Sequence, residues 1–257
     1  MKVVLFCGGL GMRLRDYSET IPKPLAEIGS RPIIWHLMKY YSHYGFRDFV
    51  LCLGHGGQAI KRYFANYEEY LSNDFVLSAG GKRLDLLKRD IEDWRITFVD
   101  TGIKSNIGMR LSAVREHLAG EEAFLANYAD GLSDLDCRRH VDNFLASGKV
   151  GCFVSVRVPQ TFHVVHADEA GFATAMENVA DTSIRINGGF FVFTKKIFDY
   201  MRPGEELVVE PFQRLMKERQ LIAVQHDGFW HSMDTFKDKV QLEEMVREGR
   251  APWQVWL

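Results

Sequence analysis

The chain contains few cysteines and no paired cysteine motif. Its four cysteines, Cys7, Cys52, Cys137 and Cys152, are scattered, and no C-x-x-C pair occurs. This pattern predicts neither a zinc site nor a disulfide framework, and it favours small buried thiols in a reducing compartment. An excess of one charge is also missing. The formal net charge of −2 offers no basic surface for a nucleic acid or an anionic membrane.

Long hydrophobic runs are missing as well. No apolar run reaches the roughly 18–20 residues that span a bilayer. The apolar run at the N-terminus is short and leads into glycines, which is not the pattern of a signal peptide. We therefore expect a soluble, cytoplasmic globular protein with no membrane or nucleic-acid partner.

Apolar runs of strand length alternate with segments of helical period. We expect strands at residues 3–6, 48–53, 95–100 and 123–130, and helices at 32–45, 58–71 and 108–118. Continuous apolar strands separated by helices predict a mainly parallel sheet covered on both faces. The second half of the chain is β-rich, with a predicted hairpin at 168–171, short helices at 195–201 and 211–218, a strand at 221–226 and a last helix at 236–248. The sequence predicts one α/β domain with a β-rich lid or insertion.

The first strand runs directly into the glycine-rich segment FCGGLGMRL. Three glycines could let backbone N–H groups approach an anion closely: Gly8, Gly9 and Gly11. Their spacing fits neither G-x-G-x-x-G nor a P-loop, and an ordinary strand-to-helix turn remains the alternative. Arg13 offers a planar fork for phosphate oxygens. Lys23 stands between two prolines that fix its backbone, as suits a cation held in one place.

Several segments, in the same order, resemble those of one known family. GGLGMRL followed by IPKPL resembles the G-G-x-G-T-R-L and P-K-P signature of sugar-1-phosphate nucleotidyltransferases. FVDTGIKSNIGMRL resembles the family's nucleotide-reading segment, and YADG and GFWHSMDT resemble its two metal-binding segments. INGGFFVF resembles its acceptor-side strand. The resemblance runs almost end to end and is closest to the glucose-1-phosphate cytidylyltransferase branch.

This resemblance implies a fold and a reaction. The fold is a Rossmann-like nucleotidyltransferase sheet, with a nucleotide-binding half (1–150) and an acceptor-binding half (151–257) in a single domain and a homo-oligomer as the assembly. In the reaction, an acceptor phosphate attacks the α-phosphorus of a nucleoside triphosphate and expels pyrophosphate. The attacking phosphate is already anionic, so catalysis requires charge neutralisation and alignment rather than a general base.

The resemblance also assigns the catalytic residues. The opening loop, including Met12 and Arg13, would hold the triphosphate, and Lys23 would contact the α-phosphate. Mg²⁺ would be held by Asp130, at the end of the strand 123–130, and by Asp234, because hard oxygen ligands suit this ion. For Asp100, capping the following loop is as good an interpretation as ligand binding.

The base would be read by a T-G-x-x-S-x-x-G pattern. Its residues here are Thr101, Gly102, Ser105 and Gly108. Arg110 is a candidate phosphate or ribose contact, with an exposed helix arginine as the alternative. The glutamine-containing loop of the uridylyl- and thymidylyl-transferring relatives is absent, so the predicted donor is CTP.

The chain departs from the family pattern in three places. Met12 replaces a threonine, His163 stands where a glycine is expected, and the E-K-P lysine is replaced by Asn178. One interpretation is family drift, with Arg157 or Arg185 as the phosphate clamp. Another is a different acceptor, such as another sugar phosphate or a non-sugar phosphate or phosphonate, and a third is a catalytically silent nucleotide-binding relative. The predicted acceptor-binding residues are Glu177, Asn178, Arg185 and Asn187.

Overall fold

A computed structural model describes residues 1–9, 21–158 and 162–257. Its α-helices are α1 (Ile33–His43), α2 (Gly57–Ala65), α3 (Ile107–Ala113), α4 (Cys137–Ser147), α5 (Glu210–Lys217) and α6 (Phe236–Arg247). Short 3₁₀ helices cover Lys23–Leu25, Glu69–Leu71, Ala79–Gly81, Arg115–Leu118, Val179–Asp181 and Lys195–Tyr200.

The strands form one central sheet and four small two-stranded sheets. The central strands are β1 (Val3–Phe6), β4 (Asp48–Leu53), β7 (Arg95–Asp100), β8 (Ala123–Tyr128), β10 (Gly151–Arg157), β13 (Arg185–Asn187), β14 (Phe191–Thr194) and β15 (Leu221–His226). The small pairs are β2 (Glu27–Ile28) with β3 (Arg31–Pro32), β5 (Phe75–Ser78) with β6 (Arg83–Leu86), β9 (Gly131–Ser133) with β16 (Trp230–Ser232), and β11 (His163–Ala167) with β12 (Ala173–Asn178).

The central sheet is mixed, with a parallel half built around β1. Strand β1 pairs in parallel with β4 on one side and β8 on the other, and β7 continues the parallel order beyond β4. Strand β14 is antiparallel to β8 and to β10, and β13 is also antiparallel to β10, whereas β15 runs parallel to β10. The predicted α/β class is confirmed, and the antiparallel portion belongs to the half that the sequence marked as β-rich.

Both faces of the central strands are buried. In β1, Val3 and Leu5 belong to one hydrophobic core, while Val4 and Phe6 belong to a second core on the opposite face. Because successive side chains of a strand point to opposite faces, a sheet covered on both sides requires an uninterrupted apolar run. The continuous pattern VVLF is thus explained by the two cores.

The C-terminal segment is anchored on α1 through a buried histidine. The His36 ring accepts a hydrogen bond at Nδ1 from Trp253 Nε1 (3.3 Å) and donates from Nε2 to the Ile28 carbonyl (2.9 Å). This pattern requires the neutral tautomer with its proton on Nε2. Burial lowers the pKa of His36 to about 4.

Several element boundaries differ from the sequence-based expectation. Strands 3–6, 48–53 and 95–100 and the hairpin at 168–171 are confirmed. The helix predicted over 58–71 ends at Ala65, the helix predicted over 108–118 ends at Ala113, and the strand predicted over 123–130 ends at Tyr128. The pair β5–β6 was not predicted. Within the described ranges, no helix combines the length and apolarity needed to cross a membrane, and all four cysteines are free and buried.

Candidate active site

The carboxyl ends of the parallel strands meet at one edge of the sheet. Strand β1 leads there into Gly8 and Gly9, and the neighbouring β8 leads into Asp130. The pairing of β9 with β16 brings a second segment to the same place, and Met233 N donates to the Asp130 carbonyl at 2.9 Å. Ligands of open α/β sheets bind at this edge.

Three predicted residues form one charged cluster. Lys23 Nζ donates to Asp130 Oδ2 at 2.5 Å and to Asp234 Oδ1 at 2.8 Å. Asp234 Oδ2 accepts from Ser232 Oγ at 2.7 Å, and its backbone N–H donates to Asp238 at the start of α6. The predicted association of Lys23, Asp130 and Asp234 is therefore present in the fold, although the three residues come from distant parts of the chain.

The charge of Lys23 is maintained by these contacts. Burial alone would lower the pKa of Lys23, but the nearby carboxylates of Asp130 and Asp234 outweigh it and raise the pKa above 10.5. The ammonium group is therefore fully protonated at neutral pH. It is a fixed positive charge at the edge where a phosphate would lie.

The two carboxylates fit a divalent cation. Asp130 Oδ2 and Asp234 Oδ1 both lie within hydrogen-bonding distance of one ammonium group, so they cannot be farther apart than the sum of those two distances. Among the described residues, no group of three or more His, Cys, Asp and Glu residues is placed to bind a metal. Mg²⁺ commonly uses one or two carboxylates and completes its octahedron with water and substrate phosphates. Asp130 and Asp234 suit such a site.

A cavity of about 240 Å³ extends from this cluster along the glycine segment. Lys23 and Asp130 line it together with the following residues: Phe6, Cys7, Gly8, Gly9, Pro24, Ser105, Asn106, Ile107, Arg110, Tyr128, Ala129 and Glu206. Three predicted residues, Gly11, Met12 and Arg13, lie outside the described residues.

Arg110 supports the floor of this cavity. Its guanidinium donates to the Gly8 carbonyl (2.9 Å), the Leu53 carbonyl (3.1 Å) and Thr101 Oγ1 (2.8 Å). A side chain at position 8 would collide with it, because an added Cβ would lie 2.0 Å from Arg110 Nη1. The alternative of an exposed helix arginine is wrong, since Arg110 is only 3% exposed.

The predicted base-reading segment forms a braced turn. Ser105 Oγ donates to the Thr101 carbonyl, and Gly102 has φ +89°, a conformation that favours glycine. Asp100 Oδ1 accepts a hydrogen bond from the Gly102 N–H at 3.0 Å. Of the two interpretations of Asp100, this contact matches capping of the following loop. Of Thr101, Gly102 and Ser105, only Ser105 lines the cavity.

A second cavity of about 250 Å³ also borders Asp130. It is lined by Asn127, Tyr128, Asp130, Gly131, Ile186, Asn187, Gly188, Trp230, Ser232 and Asp234. Asn187 Oδ1 accepts from the Gly189 N–H (2.9 Å), and its amide donates to the Tyr128 hydroxyl (3.3 Å). Because both cavities include Tyr128 and Asp130, a ligand in each would meet at the charged cluster.

The other predicted acceptor residues do not line this cavity. Glu177 pairs with His166 on the exposed β11–β12 hairpin, and Asn178 caps a short 3₁₀ helix by accepting from the Ala180 N–H. Arg185 donates to the Ser155 carbonyl (3.0 Å) and to Asp227 Oδ1 (2.5 Å). None of the described residues that line this second cavity is a lysine or an arginine.

The cavity residues that sequence reasoning missed include Tyr128, Trp230 and Glu206. Tyr128 precedes Asp130 by two positions and could have been found from the YADG segment. Trp230 was not predicted as a ligand contact, yet it lines the second cavity while its Nε1 donates to the Gly188 carbonyl at 2.8 Å. Glu206 carries no motif, and only the fold brings it to the cavity.

A cavity of about 520 Å³ lies away from this cluster. It opens between α1 and the C-terminal residues and is lined in part by Trp35, Lys39 and Trp256. Its Lys39 is neutralised by Asp90 at 2.9 Å. None of the residues predicted to act in catalysis lines it, so the two smaller cavities at Asp130 form the candidate active site.

The chain is similar to known proteins over its whole length. The family model for nucleotidyl transferases matches residues 2–247. The chain is 38% identical to a glucose-1-phosphate cytidylyltransferase of Salmonella typhi and 34% identical to a probable glucose-1-phosphate cytidylyltransferase of Bacillus subtilis, in each case over the full length of both chains. A putative glucose-1-phosphate thymidylyltransferase of Bacillus anthracis has the same fold, with a TM-score of 0.70, 16% identity and 96% of each chain covered.

Proposed function

Since the chain belongs to the nucleotidyl transferase family, we propose that it transfers CMP from CTP to a sugar 1-phosphate. The products are pyrophosphate and a CDP-activated sugar. The observation that carries the proposal is the cluster of Lys23, Asp130 and Asp234 between two adjoining cavities. The full-length similarity of the chain to glucose-1-phosphate cytidylyltransferases supports the choice of CTP as donor and of a sugar phosphate as acceptor.

The reaction is an in-line displacement at the α-phosphorus. An oxygen of the acceptor phosphate forms a bond to this phosphorus, and the bond from the phosphorus to the bridging oxygen breaks, so pyrophosphate leaves with the electron pair. No proton has to be removed from the attacking oxygen. The protein has to align the two phosphates and to neutralise charge that builds up as they approach.

Each member of the cluster has a role in this scheme. Lys23 supplies positive charge at the α-phosphate, where the transition state is most negative. Asp130 and Asp234 would hold Mg²⁺, which when bound neutralises phosphate oxygens. The nucleotide would occupy the 240 Å³ cavity beside Gly8 and Gly9, where glycine would let the backbone approach it closely, and the acceptor would occupy the 250 Å³ cavity beside Asn187.

The acceptor cavity favours a second candidate function for one specific reason. Among the described residues that line it, none is a lysine or an arginine, so a phosphate held by these residues would depend on Lys23 and the metal for neutralisation. A cytidylyltransferase for a non-sugar phosphate or phosphonate is the alternative. We also propose a homo-oligomer acting in the cytoplasm, where the four buried free thiols would stay reduced.

The test is pyrophosphate release from the purified protein with Mg²⁺. CTP, UTP, dTTP and GTP are each combined with glucose 1-phosphate, other sugar 1-phosphates, and simple phosphate and phosphonate esters. We expect turnover with CTP and a sugar 1-phosphate, with the CDP-sugar identified by mass. Turnover with CTP only in the presence of a non-sugar acceptor would establish the alternative. Absence of pyrophosphate with CTP and every acceptor would overturn the proposal.

A further inference from the structure

We infer that Glu206 determines the choice of base by accepting a hydrogen bond from the exocyclic amino group of cytosine. This inference rests on the proposed function, because it specifies how the nucleotide cavity distinguishes CTP from other triphosphates. Glu206 lies outside every motif that the sequence indicated. The inference depends on its unpaired oxygen, its fixed backbone and its neighbours.

The side chain of Glu206 lines the nucleotide cavity with one oxygen unsatisfied. Glu206 Oε1 is buried and has no hydrogen-bond partner among the described residues. The other oxygen, Oε2, has only a long contact of 3.4 Å from the Ile107 N–H. A buried carboxylate oxygen without a donor costs free energy, which a ligand donor bound in the cavity would recover.

The backbone around Glu206 is held against the start of α3. The Asn106 amide donates to the Gly204 carbonyl at 3.0 Å, and the Glu206 N–H donates to Glu210 Oε2 at 3.1 Å. Gly108 permits this close approach, because an added Cβ there would lie 2.3 Å from the Glu205 carbonyl. The carboxylate is therefore presented from a fixed segment rather than from a free loop, as selective recognition requires.

The surroundings of Glu206 suit a base better than a phosphate. Phe6, Ile107 and Tyr128 line the same cavity and offer apolar surface to a planar ring. A negative charge repels the triphosphate, which instead fits Lys23 and the glycine segment.

A carboxylate distinguishes cytosine from uracil by hydrogen-bond polarity. Cytosine presents an amino donor at position 4, which a glutamate accepts, whereas uracil presents a carbonyl oxygen there. The oxygen would face Glu206 with no proton between them. The structure thus assigns to Glu206 both an attraction for CTP and a repulsion against UTP, and such a combination gives strong discrimination.

The experiment compares Glu206→Gln with wild type in kcat/KM for CTP and for UTP, with the same acceptor and Mg²⁺. Glutamine keeps the size of the side chain, but its amide can donate to the uracil carbonyl. We expect the CTP-to-UTP ratio to fall by at least about tenfold. The matched control is Glu205→Gln, which removes a neighbouring carboxylate that pairs with Arg214 and does not line the cavity. Its ratio should equal that of wild type.

Equal losses for CTP and UTP in Glu206→Gln would overturn the inference, since they would indicate that Glu206 supports α3 or contacts the ribose. Glu206→Asp covers the case in which the glutamine variant fails to fold. It keeps the charge but withdraws the oxygen by one methylene group, so the ratio should again fall, and an unchanged ratio would contradict the assignment. A wild-type enzyme that does not prefer CTP to UTP would refute the proposed donor itself. A wild-type preference for CTP that survives in the variants would refute only the role of Glu206.

Discussion

Replacing Lys23 with alanine tests the centre of the proposed mechanism. In the folded protein its ammonium group is held by Asp130 and Asp234, and the three side chains are 15%, 26% and 33% exposed. Removing the cation leaves two carboxylates near each other. At a separation of roughly 5 Å, an effective dielectric constant of about 20 gives a repulsion of about 3 kcal/mol. Because the groups are partly exposed, we expect the metal-free protein to lose about 1–3 kcal/mol of unfolding free energy.

The catalytic effect of the same change should be larger than its effect on stability. A charge that acts mainly on the transition state lowers kcat when it is removed and leaves substrate binding nearly intact. By analogy with the loss of one preorganised donor, kcat should fall by about 10²–10³ while the KM for CTP changes little. Steady-state pyrophosphate release gives both constants, and urea unfolding in EDTA gives the stability.

The matched control is Lys195→Ala. Lys195 forms an ion pair with Glu122 at 2.6 Å, but the two side chains are 61% and 84% exposed. A pair this exposed contributes about 0–1 kcal/mol, and it lies far from the proposed chemistry, so neither stability nor kcat should change appreciably. If Lys23→Ala kept the wild-type kcat and raised only the KM for CTP, the assignment of Lys23 to the α-phosphate would be wrong.

Three further outcomes are expected. Asp130→Asn or Asp234→Asn should abolish Mg²⁺-dependent turnover while circular dichroism shows an intact fold, and full activity of the wild type in EDTA would contradict the metal site. Arg185→Ala should leave the KM for the acceptor and the KM for CTP nearly unchanged, because Arg185 pairs with Asp227 and does not line the acceptor cavity. A KM for the acceptor that rises far more than the KM for CTP would show instead that Arg185 binds the acceptor phosphate. The lowered pKa of His36 should make stability full above pH 6.5 and reduce it as the pH falls toward 4, by about 2 kcal/mol between pH 7 and pH 5. Urea unfolding should show a weaker pH dependence in His36→Gln, and equal slopes would remove His36 as the cause.

The fold could be predicted from the sequence where one local pattern determined the structure. Strands with two buried faces require an uninterrupted apolar run, so β1 and β4 were located correctly. The helix predicted over 58–71 was too long because a tertiary contact interrupts it. After Ala65 the chain turns so that the Glu68 carbonyl and Ser72 Oγ both accept from the buried guanidinium of Arg31. The local helical period contains no information about that distant arginine.

In the candidate site, too, residues in recognisable local segments were predicted, whereas contacts between distant segments were not. Lys23, Asp130 and Asp234 were predicted as a group because each stands in a recognisable segment, and the structure brings them together. Arg185 was predicted to bind the acceptor as a phosphate clamp. The local sequence could not reveal that Asp227, which comes from a later turn, would engage its guanidinium. Glu206 was missed for the same reason, since its importance depends on a cavity that distant segments create.

The geometry of Lys23 has a consequence for metal binding that can be measured without turnover. Its ammonium group donates to the two carboxylates that would hold Mg²⁺, so the lysine and the metal contend for the same oxygens. In the absence of nucleotide, binding of Mg²⁺ must displace Lys23 and leave a partly buried cation without its partners, which weakens the apparent affinity for Mg²⁺.

Lys23→Ala removes this competition. Calorimetric titration of the nucleotide-free protein should then show tighter binding of Mg²⁺ than in wild type, and no binding of Mg²⁺ in the double variant Lys23→Ala with Asp130→Asn. With CTP present the α-phosphate gives the lysine a new partner, so the advantage of the variant should shrink or reverse. Equal Mg²⁺ affinities of wild type and Lys23→Ala without nucleotide would mean that the ion pair and the metal site are separate, and the assignment of Asp130 and Asp234 to the metal would have to be abandoned.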